Sequence, residues 1–598
     1  MKFSKKRKRV KKNKVGIKIC LYLISVVCIL LFLIYLWWNI DFSNFVKDNG
    51  YKTMYLASAN NQVSVFTLEE QISDVNREVV KILVESKKIL RGKKVSVVDS
   101  SIEYEDKLYY LVKLDKEEYY VNNINLVLEA DEVVLEKNIY VRNSTSILAT
   151  DGSKKIVGLA KKGEELEVVG YDKINNDGYV NVYTVSDGEK RGLVYGKYMS
   201  FTKDESQLNY MADIYDPIHS KIKNNYGGGE AIGLDFYPNK KQEFDENKMP
   251  DSVYALYLNC DSSIIGNIDE YIDFAKTTKI NSFVVDIKDN ESPAFPAKTF
   301  KLLSPTSYEN AVNSYDSYKN AIIKLREAGF YVIGRITVFK DSYYVQDNKE
   351  VAILNKNTGE PYLHNGSYWP SAYNRDVWYY NLLLAREAVE EFGFNEINFD
   401  YVRFPDRMNS VSNIIDLKNI YDESKVQAIQ RFIQYAKDIL HELNVYVSVD
   451  VFGETTNGTY TTAYGQYWPA ISNEVDVISG MPYPDHFSSG YYGLAKPWNE
   501  PYKLMNYWGR YALDRQKEIP TPAKVRTWIQ AYDVMKYVDN NGISYGAKQV
   551  EDQIRGLYDA GVTDGYITWL SNSDLMKYKS QASAFSIDYW KEYEKKNG

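Results

Sequence analysis

Ile397-Asn-Phe-Asp-Tyr-Val-Arg403, a helical pattern over residues 426–443, and then Val447-Ser-Val-Asp-Val-Phe-Gly-Glu454 form the stretch on which the fold turns. Each end segment is a short run rich in β-branched and aromatic residues, and the segment between repeats at helical spacing, the signature of strand, crossover helix and parallel strand. Working outward, the same patterns predict strands at 253–259, 282–288, 331–338, 396–403, 445–453, 475–482, 525–532 and 565–570. Helical patterns at 268–276, 318–328, 377–392, 426–443 and 548–560 lie between them. Eight βα units over residues 251–590 predict an α/β fold, a (β/α)8 TIM barrel with loop insertions. The competing reading, a doubly wound open sheet, calls for a Gly-x-Gly-x-x-Gly turn after the first strand, and neither that turn nor a phosphate loop is present.

Chemistry in such a barrel collects at the carboxyl ends of the strands. Here those ends carry acids: Val284-Val-Asp-Ile-Lys-Asp289 on strand two and the two segments quoted above on strands four and five. Side chains alternate with period two, so Asn398 and Asp400 share one face, as do Ser448 and Asp450, with Glu454 just past the end. A buried Asp can also serve simply as the partner of an Arg, and Arg335 and Arg403 are available, but several acids converging from adjacent strands cost energy unless they are used. Glycoside hydrolysis needs two carboxyls flanking one bond. Asp400, Asp450 and Glu454 are therefore the candidate catalytic residues. Lys288 and Arg403 stand two residues beyond Asp286 and Asp400 and are expected on the same faces, as cations that keep a carboxylate ionised. Sugars also need flat apolar platforms. Eight of the ten Trp lie within 251–590, and Trp369 in a loop with Trp528 and Trp569 on the late strands are expected to line the groove rather than the core.

Other chemistries lack their signals. Four His with no His-x-His or His-Glu-x-x-His spacing argue against a zinc hydrolase or a metal-dependent deacetylase, and no metal or other cofactor is expected. No Gly-x-Ser-x-Gly elbow occurs, and Cys260 reads as a small packing residue. Three cysteines, two of them in one apolar stretch, exclude a disulfide framework. The net charge of −7 conceals an asymmetry: residues 1–18 hold ten Lys or Arg and no acid, and taking ten from −7 leaves the rest at −17, which speaks against nucleic acid as a partner.

After that basic tail, residues 19–38 contain no charge, enough at about 1.5 Å per residue to cross roughly 30 Å of hydrocarbon. The stretch is longer than a signal-peptide core and ends in Trp37-Trp38 rather than a small-x-small site. A retained transmembrane helix at 19–40 is expected, with the tail cytoplasmic and everything beyond extracytoplasmic by the positive-inside rule. Residues 201–250, with Gly227-Gly228-Gly229 and a charged run, read as a linker.

Between anchor and linker come short alternating runs broken by turn residues. Tyr140-Val-Arg-Asn, Lys162-Gly-Glu-Glu-Leu-Glu-Val-Val-Gly170, Gly178-Tyr-Val-Asn-Val182 and Arg191-Gly-Leu-Val-Tyr-Gly-Lys-Tyr198 resemble, in spacing and order, the bacterial SH3-like barrels of envelope proteins. This places a small all-β domain at 131–200. A weaker copy, closed by Tyr119-Tyr-Val-Asn-Asn-Ile-Asn-Leu126, is read at 51–130, so that one or two such domains precede the main one. They are expected to bind cell-wall glycan or peptide, or to act as a spacer lifting the main domain off the membrane.

Residues 252–588 resemble a bacterial family of membrane-anchored TIM-barrel proteins described as putative glycoside hydrolases, a domain of unknown function. The resemblance rests on Phe283-Val-Val-Asp-Ile-Lys-Asp289, Asn398-Phe-Asp-Tyr-Val-Arg-Phe-Pro405, Ser448-Val-Asp-Val-Phe-Gly453, Met481-Pro-Tyr-Pro-Asp-His-Phe487 and Arg526-Thr-Trp-Ile-Gln530. The candidate substrate-binding residues are Asp286, Lys288, Arg403, Tyr483, Asp485, His486, Trp528 and Gln530 within these segments, and Trp369 and Trp569 outside them. The family is similar in layout to α-amylase-like barrels, which implies Asp400 as nucleophile or base and Glu454 as acid. It departs from them in lacking a His soon after Asp400 and a clear strand-seven Asp, for which Asp533 lies nearest. With Asp450 four residues before Glu454, either can be the acid. The expectation is a membrane-tethered hydrolase of an envelope or secreted polysaccharide. The competing reading is a glycan-binding scaffold without a competent pair.

Overall fold

The computed structural model describes residues 52–597 apart from 73–76, 78, 187, 189–190, 209–233, 235, 457–460, 518 and 541. The basic tail and the apolar segment at 19–40 lie outside these, and among the described residues no helix is long and apolar enough to cross a membrane. The described residues divide into two compact units, one of residues 52–136 with 174–179 and one of residues 137–173 with 180–597.

The first unit holds an antiparallel sheet of β1 (Lys52–Leu56), β2 (Gln62–Ile72), β3 (Val79–Leu90), β4 (Lys94–Tyr104), β5 (Lys107–Leu114), β6 (Glu117–Asn122) and β7 (Leu126–Val127), in the order β3-β2-β6-β5-β4-β1-β7. Alternation puts Val63, Val65, Val95, Val112 and Val121 on one buried face. Arg91 and Glu136 form a buried ion pair of 2.6 Å there.

The second unit begins with β8 (Asn138–Val141), β9 (Thr145–Leu148), β10 (Ile156–Ala160), β11 (Glu165–Tyr171), β12 (Val182–Ser186), β13 (Arg191–Tyr195) and β14 (Met199–Ser200), ordered β10-β9-β13-β12-β11-β8-β14. This is the order of the first sheet advanced by seven. In both sheets a 3-10 turn, Asn123–Asn125 or Gly196–Tyr198, precedes the last strand, so the repeat read from Tyr119 to Leu126 has a counterpart in topology. Tyr198 donates from its hydroxyl to both oxygens of Asp438, at 2.7 and 2.9 Å, and Lys197 pairs with the same carboxylate at 2.6 Å. This second sheet is thereby fixed to the helix that carries Asp438.

The rest of the unit is a nearly closed parallel barrel. Its strands are β15 (Val253–Leu258), β16 (Ser282–Asp289), β17 (Tyr331–Thr337), β18 (Glu396–Asp400), β19 (Tyr446–Phe452), β20 (Val477–Met481), β21 (Lys524–Val525), β22 (Thr527–Gln530) and β23 (Gly565–Trp569). The ends of the path, β21 and β22, are halves of one segment split at Arg526, and β23 pairs with β15, so the open sheet is excluded. Helices α1 (Ile268–Lys276), α2 (Tyr315–Glu327), α3 (Arg375–Phe392), α4 (Lys425–His441), α5 (Trp468–Glu474), α6 (Pro501–Gln516) and α7 (Ala547–Ala560) fill the connections. Outward residues such as Phe283, Val285, Ile397, Phe399, Val447 and Val449 pack under them in one continuous core. The described end of the segment read as a linker is packed on the barrel. Phe236 lies with Val426 and Tyr467, Asn239 donates to Glu474 at 2.6 Å, and Phe244 enters the barrel interior beside Tyr331 and Tyr446.

Candidate active site

The inward residues rise in layers. Low in the barrel, Arg526 pairs with Glu396 at 2.7 Å and Tyr331 donates to the same carboxylate at 3.0 Å. Two pleats higher on β18, past Asn398, stands Asp400. Parallel register sets Asp286 opposite Arg335, Arg335 opposite Asn398 and Asn398 opposite Ser448, so Asp400 and Asp450 stand one pleat beyond that row, with Asp400 within reach of the Arg335 side chain.

Arg335 is the hub. Its Nη1 donates to Asp286 Oδ1 at 2.7 Å and its Nη2 to Asp400 Oδ2 at 2.6 Å, while Asp289 lies 3.7 Å from it. The guanidinium packs over the rings of Tyr257 and Trp569. Tyr257 donates to the second oxygen of Asp286 at 2.5 Å. Asp400 accepts a further bond from the Tyr401 backbone N–H at 2.6 Å. Tyr401 has φ +52°, which ends β18 three residues short of the predicted strand and is a strained, left-handed conformation of the kind found at functional sites.

Asp450 sits in a different environment. It is 1% exposed, and its Oδ1 accepts from Trp528 Nε1 at 2.7 Å and from Asn398 Nδ2 at 2.9 Å. Its Oδ2 meets no partner among the described residues. Burial, and next the charge of Asp400, push this carboxyl well above the ordinary Asp value, more than its two donors lower it. Asp286 is likewise pushed up, to about 6, because burial outweighs Arg335 and Tyr257.

That shift has a testable consequence. The folded value, about 6, lies above the ordinary 3.8, so the folded state holds the proton more tightly. The resulting stability is complete below about pH 4 and is lost as pH rises through 6, on the order of 3 kcal/mol for two units. Asp286→Asn should therefore gain stability relative to the parent between pH 4.5 and 7.5, roughly across that window. Parallel melting curves of the two proteins over that range would exclude it.

The remaining predicted residues fall into separate places. Arg403 lies with Trp369, Tyr401 and Phe452. Tyr483, Asp485, His486 and Gln530 gather around Tyr532, which donates to Asp485 Oδ1 at 2.7 Å, and the Asp485 N–H donates to Gln530 at 3.1 Å. Glu454 is on the 3-10 turn Gly453–Thr456, held by Trp508 donating to the Gly453 carbonyl at 2.8 Å. It is partly exposed and makes no described hydrogen bond to Asp400 or Asp450.

Lys288 does not share the face of Asp286. The pairing of β16 with β17 slips between these two residues, and this bulge turns Lys288 toward α3, where it is fully buried on Asp341 at 2.6 Å and Asn381 at 2.9 Å. Nor do the three tryptophans behave alike. Trp569 keeps partial exposure, whereas Trp528 is 1% and Trp369 3% exposed. Trp528→Ala should therefore cost about 3–5 kcal/mol of stability, and Trp569→Ala should cost far less. Equal losses of melting temperature in the two variants would contradict this division. Arg335 and Tyr257 were outside the candidate binding set, although period-two alternation from Tyr331 and from Val253 points both inward.

Residues 255–575, more than half of the chain, match the family described as a "putative glycosyl hydrolase domain". Among solved structures, a hypothetical protein from Ruminiclostridium thermocellum ATCC 27405 is 29% identical over 33% of this chain and 97% of its own, with TM-score 0.28. The PgaB (BpsB) glycoside hydrolase domain from Bordetella bronchiseptica is 14% identical over 56% and 99%, with TM-score 0.40. The catalytic domain of β-amylase from Paenibacillus polymyxa is 11% identical over 58% and 99%, with TM-score 0.38. No curated protein matches the chain.

Proposed function

Because the chain belongs to the family described as a putative glycosyl hydrolase domain, we propose that it hydrolyses the glycosidic bonds of an envelope or secreted polysaccharide through two carboxyls at the mouth of a (β/α)8 barrel. The observation that carries this reading is the contrast between two Asp on neighbouring strands. Asp400 lies against the guanidinium of Arg335 at 2.6 Å, whereas Asp450 is buried, and that burial and the charge of Asp400 raise its carboxyl above the ordinary Asp value. A carboxyl raised by burial next to one set on a guanidinium is an arrangement from which acid and base roles are assigned. In this reading Asp400 attacks the anomeric carbon or activates water, and Asp450 supplies the proton to the leaving oxygen. A second reading gives the acid role to Glu454, favoured by its partial exposure four residues beyond the buried Asp450.

The apolar segment at 19–40 would hold the enzyme in the cytoplasmic membrane with the barrel outside, and the paired small β domains would act as SH3-like contacts to cell-wall glycan or peptide, or as a spacer. Incubating the full-length protein with a panel of wall and capsule glycans should release new reducing ends from at least one of them. Binding to a glycan that is never cleaved would favour a scaffold instead. Protease added to spheroplasts should digest the barrel, and full protection would refute the orientation.

A further inference from the structure

We propose that the polysaccharide carries an acidic substituent, a carboxylate or a phosphate, which Arg403 and Lys340 bind beside Asp400. This rests on the hydrolase reading for its location and adds the class of substrate. Both cations lie 5.0 Å from the centre of the Tyr401 ring, the residue that follows Asp400. Arg403 also packs against Trp369 at 5.0 Å and Phe452 at 4.7 Å.

What separates Arg403 from the buried cations of the barrel is its lack of a counter-ion. Arg335, Arg375, Arg526 and Lys288 are buried and each pairs with a carboxylate. Arg403 makes one side-chain hydrogen bond, from Nη1 to the Phe404 carbonyl at 3.1 Å, and among the described residues neither it nor Lys340 forms an ion pair. The acids whose fields reach Arg403 are engaged elsewhere, Asp400 with Arg335 and Asp406 with His364 at 3.0 Å. Aromatic rings satisfy the faces of a guanidinium but accept none of its five N–H donors, whose in-plane edge matches an oxyanion. The cluster is short of acceptors at a second point too, since the buried Trp369 Nε1 has no described partner. An acidic group on the sugar next to the cleaved bond supplies the missing acceptor and the missing charge at Arg403.

Native electrophoresis of the full-length protein through gels containing a polymer tests this, in an Asp400→Asn background so that nothing is consumed. The probes are polygalacturonate, poly(glycerol phosphate) and neutral hydroxyethylcellulose. At least one acidic polymer should retard the protein, less so at about 0.5 M salt, and the neutral polymer should not. Which acidic polymer retards it distinguishes carboxylate from phosphate. Arg403→Met and Lys340→Met should each weaken retardation at least about fivefold, with Arg403→Lys in between because it keeps charge but loses the fork. If Arg403→Met does not fold, the partly exposed Lys340 and Arg403→Lys carry the test. Retardation that is absent, equal with the neutral polymer, or unchanged in the Met variants overturns the proposal. Retention on an acidic polymer supports this site whether or not that polymer is cleaved, and if no wall or capsule glycan then releases new reducing ends, this site stands while the hydrolase reading falls. Cleavage of a neutral polymer without affinity for acidic ones does the reverse.

Discussion

Asp400→Asn should lower kcat/KM on a cleaved glycan by roughly 10,000-fold while leaving the melting temperature within a few degrees of the parent. The amide keeps the size of the carboxyl, and its oxygen can still accept from Arg335 Nη2, now 2.6 Å from Oδ2. What it loses is the charge that attacks or stabilises an oxocarbenium-like centre. Arg335 retains Asp286, so no cation is stranded. The same measurement decides the acid. If Asp450 supplies the proton, Asp450→Asn should fall as far as Asp400→Asn, with Trp528 and Asn398 still donating to position 450, and Glu454→Gln should stay near parental activity. If Glu454 supplies it, the two results exchange. The double variant should be little worse than either single one, because cooperating catalytic groups are far from additive. An Asp400→Asn protein that turns over like the parent places the chemistry somewhere other than the top of β18.

The barrel was legible because its strands are buried on both faces and its polar residues alternate with period two, so Asn398-Asp400 and Ser448-Asp450 announced an inward polar stripe. The same rule misplaced Lys288, since alternation fails across a bulge and a bulge is a property of pairing rather than of one strand. It also left open what an inward Trp does. Trp528 points into the barrel as read, but at the level of Asp450, where it serves as a hydrogen-bond donor and not as a platform. The hub, Arg335, stood in the sequence only as an available partner, because whether it meets Asp286, Asp400 or both depends on the register of three strands. Glu454 was placed correctly beyond the end of β19, yet no sequence pattern states that Gly453 begins a 3-10 turn held by a tryptophan from α6.

A loss of stability as large as that of Trp528→Ala is expected low in the barrel, away from all of this. Arg526→Met should destabilise the fold by about 3–5 kcal/mol, because Arg526 and Glu396 are fully buried and the substitution leaves Glu396 with only the Tyr331 hydroxyl and no counter-charge. The cost lies in stranding one charge, not in the worth of the pair. Arg526→Met combined with Glu396→Leu should accordingly recover most of the loss, as replacing both members of a buried pair by apolar groups is often close to neutral. Glu396 precedes Asp400 by four residues on the same strand, about 13 Å at strand rise, so the folded fraction of either variant should keep its kcat. Urea unfolding followed by activity per folded molecule separates the two effects. If the single variant unfolds at the parental midpoint, Glu396 finds solvent or a new partner on losing Arg526. If instead the stable double variant is inactive, the lower layer shapes the catalytic one, and stability and chemistry are not divided between the two ends of this barrel.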